Sequence, residues 1–153
     1  MSMNIDRDHF VNAVVPVANA FAGTLSSDVI KVDGDGIEFI IIRGAGTGST
    51  VVTVLACSNP AAAATAAVTF WYKEIVTDPG DTEWTLATTT GFTAAANANA
   101  MFRVWVPADL IGANGYNYAQ LKAVEGTANA TTGCVLARIV NTRKQPLKVT
   151  VLT

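Results

Sequence analysis

The chain has 153 residues, 50% of them hydrophobic and 14% charged, with ten Lys and Arg against twelve Asp and Glu, one His and two Cys. That length is one domain, which buries roughly 68–70% of its unfolded surface and folds without disulfide or metal staples. A net charge of −2, a pI of 5.2 and the lack of a basic block exclude the electrostatic footprint that nucleic-acid binding needs.

The opening run sets Asp6, Arg7, Asp8 and His9 where an export signal needs its apolar stretch, so it does not read as a signal peptide. Residues 11–22 form a first extended segment, and Pro16, which removes a ladder donor, suits a sheet edge or an arm. Residues 1–12 are assigned to a flexible N-terminal arm and residues 13–153 to a single domain. Residues 29–33 and 37–43 flank Gly34-Asp35-Gly36 and read as a hairpin, because glycine permits the positive φ of a tight turn. The run Ile37-Glu38-Phe39-Ile40-Ile41-Ile42 is nearly all apolar, as in a strand covered on both faces.

Residues 51–57, 68–76, 84–90 and 101–106 are the next strands. The alanine run 61–64 offers at most one helical turn, and residues 91–100 (GFTAAANANA) are a low-complexity joint. After Pro107, residues 108–111 predict a turn or a short 3₁₀ segment. Residues 116–124, 132–140 and 147–152 complete the set. Eight to ten short strands spaced by turn residues, with no long amphipathic helix between them, predict an all-β antiparallel sandwich, jelly-roll-like or Ig-like, with an extended arm.

Mean hydropathy is +0.35, and residues 44–72 and 84–102 carry no charge. Neither stretch reads as a membrane span: Gly44, Gly46, Gly48, Asn59 and Pro60 break the first, and Thr, Ala and Asn fill the second. A charged fraction of 14%, against about 25% in an average domain, leaves surface to Ala, Thr, Gly and Asn and suits contact between subunits.

No motif carries catalytic chemistry. Gly44-Ala45-Gly46-Thr47-Gly48-Ser49 follows a strand as a phosphate loop would, but a strand-like Thr50-Val51-Val52-Thr53-Val54 stands where the anion-binding helix should begin. Asp33-Gly34-Asp35-Gly36 resembles the start of a calcium loop but lacks the later ligands. Asp78, Asp81 and Glu83 form an acidic turn. His9 is the one histidine available to a nucleophilic triad, and Cys57, Cys134 and His9 lack zinc-site spacing. The cysteines read as core thiols, with a cross-strand bridge as the alternative. No cofactor or metal is expected.

Residues 101–110 (MFRVWVPADL), then 112–117, a strand through Lys122, the Asn/Thr/Gly loop 125–132 and the closing strand 135–140 resemble a family of small tailed-phage virion proteins of the head decoration or cement type. The first half agrees in layout, with VVPVANAFAG, TVVTVLA and AVTFWYKEI in order; residues 141–153 add a strand beyond the usual stop. The resemblance implies a non-enzymatic protein made in a host cytoplasm, located on the virion capsid surface, partnered by the major capsid protein and assembled as a homo-oligomer, specifically a trimer, with neither nucleic acid nor membrane as partner. The candidate capsid or subunit contacts are Asp6, Arg7, Phe10, Val11 and Val14 in the N-terminal segment and Leu147, Val149 and Val151 in the closing strand. Two other readings compete. A carbohydrate-binding or adhesin-like sandwich would use Trp71, Tyr72, Trp84, Trp105, Tyr116 or Tyr118 as a stacking platform, and a hydrolase would need a paired carboxylate cleft.

Overall fold

A computed structural model describes residues 8–75, 82–94, 99–128 and 130–141. The elements follow in chain order as β1 (His9–Val17), β2 (Thr24–Ser26), β3 (Ile30–Lys31), β4 (Gly36–Arg43), β5 (Ser49–Cys57), β6 (Thr65–Val68), β7 (Phe70–Ile75), β8 (Thr85–Ala87), β9 (Phe92–Ala94), β10 (Met101–Pro107), α1 (Ala108–Gly112), β11 (Tyr118–Thr127) and β12 (Gly133–Val140). One six-stranded sheet runs β1-β12-β4-β10-β7-β8. The second runs β2-β11-β5-β6, with β3 also on β11 and β9 also on β5. Their pairings are antiparallel, and the two sheets pack face to face as a sandwich.

Strand alternation builds the core. Ile37, Phe39 and Ile41 of β4, Phe102, Val104 and Val106 of β10, and Val135, Ala137 and Ile139 of β12 turn inward from the first sheet. They meet Val52, Val54 and Ala56 of β5 and Ala119, Leu121 and Ala123 of β11 from the second. Each large aliphatic or aromatic side chain so buried contributes about 1.5–3 kcal/mol over leaving it in water.

Gly34-Asp35-Gly36 is not a hairpin turn. It carries the chain from β3, in the second sheet, to β4, in the first. Neither glycine adopts a left-handed backbone; both are there because the chain passes too close to others for a side chain. A Cβ at Gly34 would strike the backbone at Val140 and Asn141, and one at Gly36 would lie 2.5 Å from the Val106 carbonyl oxygen. Asp35 is tied down accordingly: its N–H donates to Val140 O at 2.9 Å, and its carboxylate accepts from Asn141 Nδ2 at 2.8 Å.

Part of the segment assigned to the arm is sheet. His9–Asn12 pair with β12, and Pro16 sits on the edge strand where a missing donor is tolerated. Residues 24–26 and 92–94 are strands that the sequence pattern does not indicate, and residues 108–112 form one short α-helix where a turn or 3₁₀ segment over 108–111 is expected. The closing strand at 147–152 lies outside the described residues. Cys57 and Cys134 are both free, on strands of different sheets.

Candidate interaction surface

Residues directly paired across strands share a face of the sheet. Following the register of the first sheet from edge to edge gives one row of six: Phe10, Arg138, Glu38, Trp105, Trp71 and Leu86. The next row is Asn12, Leu136, Ile40, Arg103 and Lys73, and the next Cys134, Ile42, Met101 and Ile75. All of them face away from the core.

This outer face is largely apolar and lacks a covering layer among the described residues. Ile40, Ile42, Leu136, Met101 and Trp105 are half-buried, whereas Phe10 is 60% exposed, Leu86 53% and Trp71 39%. The apolar run of β4 therefore has its inward half, Ile37, Phe39 and Ile41, sealed in the core, and its outward half, Ile40 and Ile42, open. The outer face of the second sheet is more polar, with Tyr118, Gln120 and Lys122 opposite Cys57, Leu55 and Thr53.

Glu38 stands in the middle of the apolar face, on the central strand β4, yet its side chain is only 2% exposed. Two arginines cover it. Arg103 donates Nε–H to Oε1. Arg138 brings Nη2 to 2.9 Å from Oε2, an ion pair whose angle makes no directed hydrogen bond. Arg138 also lies 3.5 Å from the Asp8 carboxylate. Arg103 in turn sits over the indole of Trp84 at 5.4 Å, a cation–π contact that places the third tryptophan on this face. All three tryptophans of the chain, Trp71, Trp84 and Trp105, thus line the outside of one sheet.

The six candidate platform aromatics are accordingly divided. Tyr72 turns inward and stacks on Phe92 at 4.0 Å and 6°, Tyr116 packs against the core, and Tyr118 lies on the other sheet. Among the described residues no two exposed rings stack on each other. Of the candidate contact residues, Phe10 presents its ring to the surface, while Val11 and Val14 turn inward against the core. Asp6, Arg7, Leu147, Val149 and Val151 lie outside the described residues. His9 is exposed on β1.

The glycine-rich connection is a packing joint. Gly46 has a φ of +134°, and a Cβ there would lie 2.5 Å from Thr131 Oγ1; Gly44 N–H donates to Thr132 O at 2.8 Å. Arg43, buried at the end of β4, donates to the Gly48 carbonyl and lies 5.7 Å from the Phe21 ring. Burial holds its guanidinium below the usual arginine range, partly offset by the Glu74 carboxylate. No group of three or more His, Cys, Asp or Glu able to hold a metal occurs among the described residues. Nor is any helix there long and apolar enough to cross a membrane.

No protein-family model matches the chain. No curated protein sequence matches it either. Among solved structures, its fold is similar to that of the SPBc2 prophage-derived protein YomS, with a TM-score of 0.50 over 87% of this chain and 92% of that one at 13% identity. The likeness is one of fold: an antiparallel β architecture also present in a protein encoded by a prophage.

Proposed function

We propose that the chain is a non-enzymatic structural protein of a tailed-phage virion, which binds the outside of the capsid lattice as a homo-oligomer, a trimer, and reinforces it in the manner of a decoration or cement protein. The observation that carries the reading is the open outer face of the first sheet. A central strand apolar on both sides, flanked by Trp71, Trp105 and Leu86, is built to be covered, and an apolar patch of this kind on a small domain marks a contact surface. Trp and Arg are the residues that carry most interface energy, and here Arg103 and Trp84 are already stacked. The low charge of the chain and the prophage origin of the fold neighbour support the same reading. On a lattice, each bound subunit of an oligomer raises the effective concentration of the next, so modest contacts suffice.

The three tryptophans on one face favour one other reading, a carbohydrate-binding or adhesin-like module, since indoles stack on sugar rings. Light scattering of the purified chain, followed by pelleting with undecorated phage heads, separates the two. A stable oligomer that co-pellets supports the virion role. A monomer indifferent to heads that binds a glycan array overturns it.

A further inference from the structure

We propose that residues 147–152 of one copy dock in an apolar groove at the β1 corner of a second copy. This names the contact behind the homo-oligomer proposed above and rests on that reading. The groove, about 430 Å³, lies where β1 leaves the first sheet, and Pro16, Val17, Ile42, Thr132, Gly133 and Cys134 line it. Val15 and Val17 are 60% and 43% exposed beside it, so apolar surface continues from the groove onto the edge strand.

The edge itself is closed to a full added strand. The pairing of β1 with β12 shifts register on either side of Val14, Pro16 has no N–H, and the Ala13 carbonyl already accepts from Asp28 N–H at 3.1 Å. An occupant is therefore held by its side chains. Residues 147–152 supply a fitting stripe, because Leu147, Val149 and Val151 alternate with Lys148 and Thr150 and share one side of an extended chain. Charge agrees. Residues 142–153 carry Arg143, Lys144 and Lys148 and no acid, while the described residues carry nine acidic side chains against six basic ones, with Asp28 exposed beside β1.

Reach selects a second copy over the same chain. Asn141 follows the end of β12, whereas Gly133 and Cys134 begin it. The intervening strand spans ~25 Å, and six residues from Asn141 bring Leu147 at most ~20 Å, so the three apolar residues cannot all sit in their own groove.

The test uses the full chain, the Val149→Asp variant, and a chain ending at Asn141. Each is measured by light scattering over a dilution series and by alkylation of Cys134 with N-ethylmaleimide, mapped by peptide mass, with buried Cys57 as internal reference. The full chain is expected to be oligomeric, with Cys134 alkylated roughly tenfold more slowly when assembled than when diluted. Val149→Asp and the shortened chain should be monomeric and reactive, and a peptide of residues 142–153 should restore protection to the shortened chain. An oligomer that persists in Val149→Asp, with Cys134 equally reactive throughout, overturns this contact and leaves the assembly reading standing. Protection independent of dilution in a monomer places the segment on its own chain and overturns it as well. A monomer with reactive Cys134 at every concentration removes both.

Discussion

The indole of Trp105 packs against Gly36, so that a Cβ at residue 36 would sit 2.7 Å from the ring atom Cζ2. The smallest residue of β4 is the seat of the largest residue of β10, and that seat fixes one ring of the open face. Gly36→Ala must push either the indole or the Val106 backbone aside. Overpacking of this kind costs about 1–3 kcal/mol, a fall of roughly 2–10 °C in Tm for a domain of this size. The expected result is a lowered melting temperature together with a red shift in tryptophan emission as Trp105 lifts into water. An unchanged melting curve would show that the ring moves freely.

The two arginines over Glu38 are not equivalent. Arg103 makes the directed hydrogen bond and stacks on Trp84, whereas Arg138, exposed to a similar degree, makes an undirected ion pair. Arg103→Ala should cost about 1.5–3 kcal/mol, because it leaves a buried carboxylate without its donor, and Arg138→Ala about 0–1 kcal/mol. Urea denaturation of both variants checks the order; equal losses would contradict it.

The cysteines differ in the same direct way. Cys57 is fully buried and burial pushes its thiol pKa up, which keeps thiolate scarce near neutral pH. Cys134 is partly exposed. In the dilute native protein, Cys134 should be alkylated well before Cys57, and both should react at once in denaturant. A mass two hydrogens short of the dithiol would instead report a bridge.

Gly46→Ala should be among the most damaging single-methyl additions. It places an L side chain at a φ of +134° and drives it into the 130–131 backbone. A loss of about 2 kcal/mol or more in urea denaturation is expected, and a variant as stable as the parent would remove the packing role assigned to the glycine joint.

Much of this fold was legible in the residues. The strands at 37–43, 101–106 and 132–140 stand where their β-branched runs predict them, and a strand, not a helix, follows the glycine-rich loop, as Thr50-Val51-Val52-Thr53-Val54 indicates. Pairing was harder. Asp33-Gly34-Asp35-Gly36 has hairpin chemistry, but turn residues alone do not say whether the flanking strands share a sheet, and here they do not. β9 was hidden because Phe92-Thr93-Ala94 lies inside a low-complexity run with one large side chain. The face of the tryptophans was equally hidden. In Phe70-Trp71-Tyr72 both alternating sets are aromatic, so period two could not say which set turned inward; packing sent Phe70 and Tyr72 to the core and left Trp71 outside.

Contact of the outer face of the first sheet with the capsid, as proposed, is tested most directly by co-sedimentation of the double variant Trp71→Ser, Leu86→Ser with undecorated heads beside the parent chain. Both positions are exposed, so folding should be altered by only about 1 kcal/mol, which circular dichroism melting confirms. The parent is expected to pellet with the heads and the variant to bind at least ~30-fold more weakly, as loss of a tryptophan anchor does at an interface. A variant that pellets as well as the parent, or a parent that stays in the supernatant, would contradict that contact.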